Sequence, residues 1–190
     1  MSLELGLEGR RAVIAPADSP LAAQCAAALR AEGCEVAGAD SAETADLIVA
    51  IAPFSPRGDR DGLLTTDRLN AVWNNAVVDV VRLYQRALPH MKAQRHGRLV
   101  VVAPAAARTV VHGADLDSIA TLGLLGLQKS ISGELGPHEI TVNSVLWEGG
   151  TDSGLMDSVA NTVVYFCSEP AAFLTGTTIS VDGAGNPGMF

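Results

Sequence analysis

The sequence is short of charge, aromatic residues and cysteine, and each shortage narrows what it can be. Only 18% of its 190 residues are charged against 48% hydrophobic, which excludes a disordered chain. A chain this long buries roughly 70% of its unfolded surface, enough for a core without metal or disulfide staples. Lys and Arg number 13 against 21 Asp and Glu, a net charge of −8, and no basic block occurs to displace counterions from a phosphate backbone. Nucleic acid is excluded as a partner. No apolar run reaches the roughly 18 to 20 residues that span a membrane, and the N-terminus MSLELGLEGR is acidic where a secretory signal is basic. The expectation is a cytoplasmic protein with no membrane contact. Cys25, Cys34 and Cys167 are odd in number, far apart and set among apolar residues, so they read as buried thiols. His90, His96, His112 and His138 show no paired spacing on a helical face, and no metal site is expected. Neither a repeat nor a linker interrupts residues 1–190, which read as one domain.

What is present is an alternation of strand-length apolar runs with longer stretches of helical period, the pattern of a parallel sheet covered by helices. Strands are expected at Arg11 to Ala15, Glu35 to Ala39, Asp46 to Ala52, Leu99 to Ala103, Ile140 to Leu146 and Thr178 to Val181. Helices are expected at Pro20 to Glu32, where Gly33 stops the first, and then at about Thr66 to Lys92, Asp117 to Leu135 and Ser158 to Ser168. Gly123 and Gly126 each lower helix propensity by about 1 kcal/mol relative to Ala. Close approach to a neighbour offsets that, either within the molecule or across an oligomer contact.

Four ordered stretches then carry a resemblance: LPHMKAQRHGRLVVVA from Leu88, LGLLGLQKSISGEL, EITVNSV, and SEPAAFLTGTTISVDGAG near the C-terminus. With the first βαβ unit they resemble the short-chain dehydrogenase/reductase family, especially its 3-oxoacyl reductase and 3-hydroxyacyl dehydrogenase types. The resemblance implies an α/β fold, a three-layer Rossmann-like doubly wound parallel sheet of about six strands. It also implies a nicotinamide cofactor, a catalytic set of Ser, Tyr, Lys and Asn, and a dimer or tetramer built on the two long helices.

The family's chemical positions are altered here. Its glycine-rich TGxxxGxG turn falls on Ala15 to Ala22, with Pro16, Pro20 and Ala22 at the three glycines. Proline has no N–H to donate and a fixed φ. Asp18 places an anion where phosphates sit, a repulsion of about 4 kcal/mol at 4 Å with an effective dielectric near 20. No cofactor is therefore expected. Asp40, ending the second strand, is the remaining candidate for ribose hydroxyls. The Ser position falls on Pro104, the Tyr position on Asp117, the Lys position on Thr121 and the Asn position on Ala76, beside Asn74 and Asn75. The family's Pro-Gly after the sixth strand reads Trp147-Glu148. The chain also has no room for an edge strand and helix between Asp40 and Asp46, or for the substrate lid between Gly150 and Ser158.

The expected function is a non-catalytic member of the family, a structural or regulatory partner of an active NAD(P)-dependent dehydrogenase/reductase, in acyl-thioester or related metabolism. Its homo- or hetero-oligomer contacts would use the helices 66–92 and 117–135, with the tail from Gly183 to Phe190 able to reach a neighbour. The alternative is a cofactor-independent enzyme of lyase, dehalogenase or isomerase type whose acid/base set is His112, Asp115 and Asp117. Asp115 or Asp117 can equally cap the next helix.

Overall fold

The computed structural model describes residues 4–53, 65–105 and 115–183. Six parallel strands form one sheet in the order β2-β1-β3-β4-β5-β6. They are β1 (Arg11–Ala15), β2 (Glu35–Ala37), β3 (Leu47–Ile51), β4 (Gly97–Pro104), β5 (Ile140–Trp147) and β6 (Thr178–Val181). The central strands β3, β4 and β5 are buried along their whole length, which is why β3 and the middle of β4 read as unbroken apolar runs, while β5 buries Thr141, Asn143 and Ser144 among its apolar residues. Helix α1 (Pro20–Ala31) and helix α5 (Ser153–Cys167) pack together on one face. Helices α2 (Thr66–Trp73), α3 (Asp79–Gln94) and α4 (Asp115–Leu135) belong to the other. Two apolar cores result, one around Leu29, Leu47 and Phe166, the other around Ile48, Met91, Leu99 and Leu124.

Local chemistry explains the ends of these elements. Ser19 caps α1, its Oγ accepting the N–H of Ala22 at 3.1 Å, and Gly33 leaves the helix at φ +83. At Gly97 an added Cβ would lie 2.7 Å from the Met91 sulfur, so the approach of α3 to the start of β4 requires glycine.

Four boundaries differ from the sequence reading. Strand β2 has three residues, and Asp40 lies beyond it in a 3-10 turn over Ala39–Thr44 instead of ending the strand. That turn packs on α3, where Arg86 grips both carboxylate oxygens of Glu43 (2.7 and 3.0 Å) and donates to the Asp40 carbonyl. It closes the edge where a strand and helix are missing. The long helix is continuous but carries a π turn at Asn74–Val78, which one-dimensional periodicity does not reveal. Helix α5 starts at Ser153 rather than Ser158, because its cap is Asp152, whose carboxylate accepts the Leu155 N–H at 2.8 Å. Helix α4 begins at Asp115, ahead of the expected start, so Asp117 lies inside its first turn and does not cap it.

The small residues of α4 have different surroundings. A Cβ at Gly123 would meet the Trp73 ring at 2.8 Å, so this glycine serves the contact of α4 with α2. Gly126 faces open space.

Candidate functional site

Strand β1 is the point where the chain reverses its direction across the sheet, with β2 on one side and β3 on the other. Backbone connections diverge there and leave a crevice beyond the carboxyl ends of the strands. Two cavities occupy it. One, of about 620 Å³, lies among Pro16, Asp18, Leu21, Trp147, Glu148 and Met156. The other, of about 500 Å³, lies among Ala15, Ala39, Asn75, Asp79, Arg82 and Arg86. Pro16, Ile51 and Pro53 line both, so together they follow the ends of β1 and β3.

The turn after β1 is poor in donors. Pro20 has no N–H, that of Ala22 is bonded to the Ser19 hydroxyl, and that of Ala23 to the Ser19 carbonyl. Leu21, which lines the larger cavity, keeps the remaining first-turn amide. Pro16 and Asp18 are exposed on the turn, while Ala22 is buried and packs into the core. Asp40 is exposed, with its carbonyl held by Arg86.

The fold brings together Pro104 and Thr121, two positions that anchor spacing sets against the family's catalytic set. Pro104 ends β4 beside Trp147 in register, and the buried Thr121 hydroxyl donates to the Pro104 carbonyl at 3.2 Å. Asp117 lies one helical turn before Thr121 and is also buried. The chain's two tyrosines are elsewhere: Tyr84 is buried on α3, where burial pushes its phenol above the ordinary range, and Tyr165 is exposed on α5. Ala76 is buried within the π turn, and Asn75 lines the smaller cavity. His112 lies outside the described residues, as does the side chain of Asp115, and so does the tail after Gly183.

The three cysteines are buried free thiols of one core. Burial pushes Cys25 up to about 12 and Cys34 up to about 11, and raises Cys167 further, so none is a nucleophile. Among the described residues no cluster of three metal-ligating side chains occurs, and no helix is long and apolar enough to cross a membrane.

Residues 41–150 match the family model described as enoyl-(acyl carrier protein) reductase. A dehydrogenase/reductase SDR family member 4 from Oryctolagus cuniculus is 27% identical over 94% of this chain and 85% of its own length. A 3-oxoacyl-[acyl-carrier-protein] reductase FabG from Aquifex aeolicus is 31% identical, over 56% of this chain and 50% of its own. The crystal structure of an enoyl-[acyl-carrier-protein] reductase (NADH) from Aquifex aeolicus shares the fold, with a TM-score of 0.83 at 18% identity over 97% of this chain and all of that one. These relatives overturn the expectation that no cofactor is involved: they are reductases, one titled with NADH, and they point to a nucleotide cofactor. The physical reason is that the turn after β1 does not decide the matter alone, since the crevice is made by strand order and by residues far from that turn. With its matching model, its relatives and its shared fold, the chain belongs to the short-chain dehydrogenase/reductase family.

Proposed function

We propose that this chain is a cytoplasmic subunit of a nicotinamide-dependent oxidoreductase assembly, in acyl-thioester or related metabolism, and that it does not perform the family's proton chemistry itself. The observation that carries the reading is the meeting of Pro104 with Thr121, next to Asp117, at the family's catalytic positions. None of the three can donate a phenolic proton or lower a phenol's pKa. Its role is structural or regulatory toward an active dehydrogenase/reductase subunit or a second copy.

A nucleotide fits the shape of the crevice, which offers two adjoining cavities for its two ring systems and the Leu21 N–H at a helix terminus. When bound, such a group supplies hydride chemistry. The residues of this chain would contribute walls and orientation.

The partner surface favoured is the outer side of α3 and α4. A groove of about 220 Å³ runs between them, lined by Leu88, Leu127 and Ile131, and Gly126 of the same helix faces open space. Tyr84 also lines this groove, with its hydroxyl buried beneath the surface and without a hydrogen-bond partner.

The test is native mass spectrometry of the chain isolated from its own cells, together with turnover of 3-oxoacyl thioester and NADPH or NADH by the chain alone. An oligomer with no turnover in isolation supports the reading. A monomer, or a chain that reduces the thioester unaided, overturns it.

A further inference from the structure

At the amino ends of the strands, the irregular segment before β1 is tied down at both ends. The Leu5 carbonyl accepts the Glu169 N–H at 2.9 Å, and the Gly9 N–H donates to the Gly33 carbonyl at 2.9 Å. Between these ties Leu7 is buried in the core, and its carbonyl accepts the Cys34 thiol at 3.4 Å. Gly6, at φ +69, leaves no room for a Cβ against the Glu169 side chain, so the segment lies directly on that residue. The Glu169 carboxylate in turn meets three basic groups: Arg10 of the segment at 3.9 Å, His96 from the turn before β4 at 3.7 Å, and Arg98 of β4 at 3.4 Å.

His96 is the member of this cluster that can change its charge near neutral pH. Its Nε2 is buried without a hydrogen-bond partner. Burial first, then Arg98 and Arg10, oppose a charge on the ring, and Glu169 and Asp46 do not offset them. Asp46 is already engaged, accepting the Arg11 N–H at 2.9 Å and lying 3.5 Å from the His90 ring, which the Arg11 guanidinium also reaches at 3.3 Å. A proton on His96 therefore sets a third cation on one carboxylate and buries an N–H that has no acceptor. We propose that residues 5–10 form an acid-released strap, which detaches from Glu169 when His96 takes a proton while the sheet beneath stays folded. Detachment removes Arg10 from the cluster and admits water to the imidazole, so the open form accepts the proton that the closed form refuses. It also bares the Cys34 thiol, which the Leu7 carbonyl holds in the closed form.

Amide hydrogen exchange of the full chain, followed by NMR between pH 7.5 and pH 5 and corrected for the intrinsic effect of pH, tests the strap. The Gly9 and Glu169 N–H groups, which close it, should lose protection by on the order of tenfold across that range. They should exchange faster than the amides of β4 at every pH and respond little to low urea, whereas exchange in β4 rises steeply with urea, the mark of a local opening. His96→Gln should keep the protection of Gly9 and Glu169 level with pH, and His90→Gln should leave the acid loss in place. Glu169→Gln keeps the backbone donor and weakens the hold on Arg10, so it should loosen the strap already at pH 7.5. The proposal is overturned if Gly9 and Glu169 are as protected at pH 5 as at pH 7.5, or if they share the protection and urea dependence of β4. It is equally overturned if His96→Gln keeps the acid response, if His90→Gln abolishes it, or if Glu169→Gln leaves the strap as tight as before.

Discussion

The two ends of the sheet are built differently. At the amino ends, buried Arg98 and Asp46 sit in a network of polar contacts that reaches the surface at Glu169. Arg98 is 2% exposed and donates to the Gly97 and Glu139 carbonyls at 3.0 and 3.3 Å and to the Glu169 carboxylate at 3.4 Å. His96 and Arg10 approach the same carboxylate, and the Asp46 carboxylate accepts the Arg11 N–H at 2.9 Å. At the carboxyl ends two cavities open instead. The difference teaches that the scaffold can be held from one pole while the other changes its chemistry.

The largest effect should come from breaking the closed pole. Arg98→Leu removes a buried charge with its hydrogen bonds and leaves two carbonyls short of a donor. A loss of about 3 kcal/mol in urea unfolding is expected, moderated by the exposure of Glu169, with the affinity of the carboxyl-end cavity unchanged. A fall in affinity as large as the fall in stability would show that the poles are not independent.

The same pole should set the response to acid. Burial, then Arg98 and Arg10, holds His96 down to about 4 from an ordinary value of 6.5. Between those values the unfolded chain takes up a proton that the native one refuses. Stability is therefore full above about pH 6.5 and declines as pH falls toward 4, by an amount on the order of 2 kcal/mol. Melting temperatures from pH 7.5 to 4 should show a shallower decline for His96→Gln, and equal slopes would contradict this.

How far the sequence foretold this comparison depends on the range of the interaction. Strand β1 and the end of α1 were legible because the apolar run and Gly33 act within a few residues. Arg98 was not, since an arginine beside an apolar run reads as a solvated end until Glu139 and Glu169 are brought to it from distant parts of the chain. The contact of Thr121 with Pro104 was not legible either, since it joins a helix to the end of a strand 17 residues away in the chain. The crevice was hidden because strand order creates it.

A smaller effect should link the helical face to its partner. Tyr84→Phe deletes an unpartnered buried hydroxyl and should raise the stability of an isolated subunit by about 1 kcal/mol. If a second subunit covers the groove above it, Leu127→Glu weakens association in sedimentation equilibrium. An unaltered association constant would move the interface away from this groove.

The smallest effect concerns Thr121, which anchor spacing sets against the family's lysine. Thr121 is fully buried, and its hydroxyl donates to the Pro104 carbonyl. Thr121→Val keeps nearly the same shape and loses that hydrogen bond, so unfolding should become easier by about 1 kcal/mol while nucleotide affinity stays as it was. Unchanged stability with weakened binding would mean that the hydroxyl faces the ligand after all, and the position would then have kept a role in chemistry that its present contact denies it.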